Sequence, residues 1–124
     1  MVSAISGMTN YYSGINASVS GMNAGRLVQN VSANNIANAN TENFIAARVE
    51  LSQAAGGGVQ ATVTVSQEEP TTIMNPDGTE STLSNVDLLQ EILNTKIGGI
   101  LFEANVAAYK IQDQTLGTII DTMG

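Results

Sequence analysis

Between residues 15 and 38 apolar positions recur with a helical period, and they do so on two sides. At about 100° per residue, Ile15, Val19, Met22, Ala33, Ile36 and Ala37 fall within about 60° of one line. Ala17, Ala24, Leu27, Val28 and Val31 gather about the opposite line. A surface helix of a lone globule needs a single apolar face, so two faces predict burial on both sides, in a bundle or among subunits. Before this helix, residues 1–14 are rich in Ser, Gly, Asn and Tyr without a sustained period, which predicts a flexible or only partly helical segment. After it, Asn34, Asn35, Asn38, Asn40 and Asn43 compete for backbone hydrogen bonds and predict the helix end, with loop at residues 41–43.

The period then changes to two. Ile45, Ala47, Val49 and Leu51 alternate with polar or small positions, and Val59, Ala61, Val63 and Val65 do so more cleanly. Gly56-Gly57-Gly58 between them predicts a hairpin, marginal alone and in need of a helix or neighbour to cover it. Residues 68–82, with Pro70 and the turn sequence Asn75-Pro76-Asp77-Gly78, read as a polar loop.

From residue 84 the helical period returns. Leu93, Ile97, Ile100, Ala104, Ala107 and Ile111 follow alternating spacings of four and three, the pattern of a heptad seam. Ser84 or Asn85 is the expected cap, with Asp87 and Glu91 near the positive end. Gly98-Gly99 costs about 2 kcal/mol against Ala-Ala in a helix, so a long helix here needs a partner along its seam. The obvious partner is the helix of residues 15–38. Phe102 and Tyr109, seven apart, share a face and suit either an intersubunit anchor or ordinary core packing.

Chemistry narrows the reading further. The chain of 124 residues is one domain's worth. Its net charge of -7 speaks against a nucleic-acid-binding module, which needs a basic surface. With no His and no Cys, acid–base catalysis by imidazole, thiol chemistry, disulfides and the usual zinc or haem ligation fall away. The acidic residues Glu68, Glu69, Asp77 and Glu80 lack calcium-loop spacing, and the glycine triplet lacks the Lys-Ser/Thr of a phosphate loop. The expectation is no catalytic residue, no metal and no cofactor. The longest apolar run, residues 97–102, is too short to span a bilayer, and no Lys or Arg precedes Arg26, which argues against a cleaved Sec-type leader.

Two stretches resemble the terminal signatures of bacterial flagellar rod and hook proteins. The first is Ser20-Gly21-Met22 and Leu27, then Ala33-Asn34-Asn35-Ile36-Ala37-Asn38-Ala39-Asn40-Thr41 with Phe44. The second is Ser84-Asn85-Val86-Asp87-Leu88, Glu91, Phe102-Glu103-Ala104-Asn105, Asp113 and Leu116. The likeness runs over roughly residues 15–51 and 84–121, and only about thirty residues lie between, so it is to a short proximal-rod-type subunit. Gly99 and Ile100 stand where the family usually carries Gln and Arg, and the paired glycines are expected to bend or loosen the helix.

The resemblance implies a mainly α fold: an antiparallel coiled coil of long N- and C-terminal helices with a small β-hairpin module between them, assembling into a helical tube. The expected divisions are a flexible segment at 1–14, an axial helix with its Asn-rich end at 15–43, a β module and loop at 44–83, and a second axial helix at 84–124. It implies a structural subunit of the basal-body rod, exported by the flagellar type III apparatus without a cleaved signal peptide. Its partners would be further copies and other axial proteins, with no nucleic acid and no membrane insertion. Contacts between subunits are expected at Met22, Leu27, Val31, Asn34, Asn35, Ile36, Asn38, Leu93, Ile97, Ile100, Phe102, Ala104, Asn105, Tyr109 and Ile111. The alternatives are a soluble coiled-coil export adaptor or a non-polymerising paralogue.

Overall fold

The computed structural model describes the backbone of residues 2–123 and the side chains of residues 6–123. The elements in chain order are α1 (Val2–Ala37), β1 (Ala47–Gln53), β2 (Val59–Val65), β3 (Thr72–Met74), β4 (Glu80–Thr82) and α2 (Leu88–Met123). The two helices, each 36 residues and so about 54 Å long, pack side by side in opposite directions. Gln29 meets Thr95 at one end of the pair and Ser18 meets Gln112 towards the other. No helix among the described residues is long and apolar enough to cross a membrane.

α1 begins at Val2, so residues 2–14, expected to be flexible or only partly helical, are helical throughout, while Met1 lies outside the described residues. Ser and Gly make residues 2–14 a poor helix alone; α2 meets the segment at its far end, where a Cβ on Gly14 would lie 2.5 Å from Gln112 Nε2, while residues 6–10, 12 and 13 are exposed. Ser18 Oγ donates to Gln112 Oε1 at 3.2 Å and to the Gly14 carbonyl at 3.1 Å. Desolvation and the nearby Asp113 carboxylate raise the Tyr11 phenol above its ordinary pKa. α1 stops at Ala37, where Asn38 N–H donates to both the Asn34 and Asn35 carbonyls. Asn43 then turns the chain with a φ of 62°, a conformation that Asn tolerates better than most residues.

β1 and β2 pair antiparallel, Ala47 opposite Val65 and Gln53 opposite Val59. The glycine triplet turns the corner with positive φ throughout. Gly58 also presses on α1: a Cβ there would lie 2.5 Å from Ser20 Oγ and 3.2 Å from Ala17 Cα. Ser20 Oγ accepts from Val59 N–H at 3.0 Å and donates to the Ala17 carbonyl at 2.6 Å, which pins the hairpin to the helix. The stretch read as a polar loop holds a second antiparallel hairpin, β3 on β4. Its strands do not alternate, so turn chemistry builds it. Asp77 Oδ1 accepts from the Thr79 amide and hydroxyl, which holds its carboxyl below the usual carboxylate range. Asn75 Nδ2 reaches Thr79 Oγ1 and Ser81 Oγ.

The cap of α2 is Asp87, not Ser84 or Asn85: its Oδ1 accepts from Gln90 N–H at 3.2 Å. α2 runs as one helix through Gly98-Gly99.

Candidate assembly surface

The helix pair is closed by small and polar side chains. On α1 the positions facing inward are Gly14, Ser18, Gly21, Gly25, Val28, Ser32 and Asn35, spaced by alternating fours and threes. Opposite them on α2 stand Gly98, Phe102, Asn105 and Gln112. Gly25 and Gly98 bring backbone against backbone. A Cβ on Gly25 would lie 2.6 Å from the Gly98 carbonyl oxygen, and one on Gly98 would lie 2.7 Å from that of Gly25. The Asn105 amide occupies the space a side chain at Gly21 would need. Gly98 is therefore the point of closest approach, not a defect in the helix. Gly99 differs, since a Cβ there meets only Gln29 Nε2 at 3.1 Å.

Pairing α1 with the heptad of large apolar residues is the main sequence expectation that fails. Leu93, Ile97, Ile100 and Ile111 are 47%, 54%, 66% and 64% exposed, and Ala104 and Ala107 lie open beside them. The row faces away from α1 because the close approach at Gly98 turns inward the face of α2 that carries Gly98, Phe102, Asn105 and Gln112. Among the described residues the buried hydrophobics are only Ala24, Val28 and Ala46. Of the two apolar lines on α1, the one through Ala24 and Val28 is covered within the chain. The other leaves Val19, Ala33, Ile36 and Ala37 exposed.

The asparagines divide. Asn35, fully buried, uses its side-chain amide as a second peptide group against Ala47: Nδ2 donates to the Ala47 carbonyl at 2.8 Å and Oδ1 accepts its N–H at 3.0 Å. From the other side Asn85 Oδ1 accepts Ala46 N–H at 2.7 Å, while its Nδ2 donates to the Glu68 carbonyl. This clasp ties the end of α1, the start of β1 and the approach to α2. Asn38 Nδ2 donates to the Asn34 carbonyl, and Asn38 Oδ1 accepts from Thr41 Oγ1. These two residues serve the helix end, Asn34 being exposed.

The remaining expected contact residues fall into two groups. Met22, Leu27, Val31, Phe102 and Asn105 are half-buried; Phe102 and Asn105 sit against Gly25 and Gly21 of the same chain. Ile36 and Tyr109 are exposed at 36% and 37%. Sequence reasoning passed over Gly21, Gly25, Ser32 and Asn85 as contact-makers, although the spacing of the first three along the inner line was readable. Beside the clasp, a groove of about 420 Å³ opens between β1, α1 and α2, lined by Val28, Val49, Leu51, Ile97, Glu68 and Glu91 among others. No group of acidic side chains among the described residues is placed to hold a metal ion.

Residues 15–44, from the middle of α1 to the loop beyond the asparagines, match the family model of the flagella basal body rod proteins. A comparison with curated proteins finds no match.

Proposed function

We propose that this chain, a flagellar rod family protein by its residues 15–44, is an axial subunit of the basal-body rod that polymerises helically with copies of itself and other axial proteins. The family is structural and belongs to the basal body. The finer reading adds export through the flagellar type III apparatus without a cleaved signal, and helix pairs packed as coiled coils about a channel. One observation carries it: the large apolar residues of α2 point outward while glycine, serine and asparagine close the helix pair. Burial of a half-exposed Ile or Leu contributes about 1 kcal/mol, so a row of them supplies a substantial drive for subunit contact.

Replacing Ile97 and Ile100 together by Glu tests this. Both side chains are more than half exposed, so circular dichroism and the urea midpoint are expected to stay close to the parent's. Cells carrying the variant should lose motility, with a rod layer missing from isolated basal bodies viewed by electron microscopy. Intact basal bodies in cells lacking the chain altogether would overturn the axial reading and favour a soluble adaptor.

A further inference from the structure

The apolar row on α2 has a charged margin whose order is informative. With Ile97, Ala104 and Ile111 in heptad position a and Leu93, Ile100 and Ala107 in position d, Lys96, Glu103 and Lys110 all fall at position g. All three are exposed, and none joins an ion pair among the described residues, where the salt bridge is Arg48 with Glu68. The other margin, position e, holds Asn94, Leu101, Ala108 and Thr115, with no charge.

These margins decide how a second α2 can lie on the row. In a parallel pair g faces e, so each Lys and Glu would meet an uncharged margin. In an antiparallel pair g faces g. A shift of one heptad then sets Glu103 against a Lys of the other copy and, by symmetry, that Lys against Glu103 in return. We infer that the exposed apolar row of α2 binds the same row of a second copy of this chain in antiparallel orientation, with Glu103 facing Lys96 or Lys110 across the margin.

The area is consistent with a reversible pair. Four long apolar side chains about half exposed, with Ala104, Ala107 and the Lys stems, offer on the order of 500 Å² per copy, or about 1,000 Å² together, the lower bound for a specific interface. Such a pair is isologous and closes on itself, unlike the head-to-tail contact that builds a tube. It would hold the subunit as a soluble two-copy form with its apolar row covered, and it does not depend on the rod reading.

Sedimentation equilibrium of the full chain tests the inference. The parent is expected to reach a plateau at two copies. Glu103→Lys makes the margin wholly basic, and Lys96→Glu with Lys110→Glu makes it wholly acidic. Each variant alone should associate about tenfold more weakly or worse, with helicity unchanged. An equimolar mixture of the two should regain pairing as a heterodimer. A monomeric parent, an open-ended mass distribution without a two-copy plateau, or charge variants that pair as the parent does would each overturn the inference. The motility and basal-body phenotypes above do not enter this readout, so either proposal can fail alone.

Discussion

Gly98→Ala is expected to lower stability by about 2 kcal/mol, whereas Gly99→Ala, one residue on, should raise it by up to about 1 kcal/mol. Alanine is the better helix former by about 1 kcal/mol at either position, so propensity alone forecasts a gain for both. The difference lies in what the new methyl meets. At 98 it would stand 2.7 Å from the Gly25 carbonyl oxygen and 3.2 Å from the Gln29 amide nitrogen, backbone atoms that cannot swing aside. The helices must separate, and overpacking of that kind costs about 1–3 kcal/mol directly and loosens the contacts beside it. At 99 the methyl meets the end of the Gln29 side chain, which can move. Urea titration of both variants reads the opposite signs. Gly25→Ala should behave as Gly98→Ala does, and the double variant should lose less than the sum, because a pair already parted has little further contact to lose. A stabilised Gly98→Ala would show that the backbone contact is not made.

Asn35→Asp is expected to be still more damaging, by about 3 kcal/mol at neutral pH, although the two side chains have nearly the same shape. The amide donates to the Ala47 carbonyl and accepts from the Ala47 N–H. A carboxylate keeps the second bond and turns the first into a repulsive contact between two acceptors in a fully buried place. Removing one partner of a buried hydrogen bond costs about 1–3 kcal/mol, and enclosing a charge adds to it. The pH dependence gives a second signature. Burial and the facing carbonyl favour the protonated acid, so the introduced carboxyl has a raised folded-state pKa. Its protonated form can also donate to Ala47. The loss should therefore shrink as the pH falls from 7 towards 4. Thermal melts across that range check it. Asn35→Ala, with no charge to bury, should lose less and show no such recovery.

How much of this was legible in the chain depended on what a hydropathy pattern can see. The row from Leu93 to Ile111 was plain, and so was its helical spacing, but the partner assigned to it was wrong. Large residues signal that something will cover them, not that the covering lies within the same chain. The true inner line of α1, Gly14 through Asn35, is just as regular, yet Gly and Ser carry no apolar weight and so leave no trace in such a count. Gly98 looked like a penalty because its compensation, a backbone contact that any Cβ would block, belongs to Gly25, far away in sequence. The first hairpin was readable from alternation and its glycines. The second was not, because Thr72–Met74 and Glu80–Thr82 are held by the Asp77 turn and the Asn75 amide rather than by a buried face. Likewise the Asn cluster predicted the helix end well, but nothing in its composition singles out Asn35 from Asn34; only the arrival of Ala47 does.

The antiparallel pairing of α1 with α2 also orders events in time. Ser18 finds Gln112 across 94 positions of sequence, and Gln29 finds Thr95 across 66. Contacts of such long separation require large loops to close before any stabilisation returns, and chains rich in them fold slowly. A chain that emerges from one end, as from a ribosome, therefore presents α1 well before its partner exists. The hairpins between the helices close over short loops and can form in that interval, whereas the contact of Ser18 with Gln112 is among the last that synthesis permits.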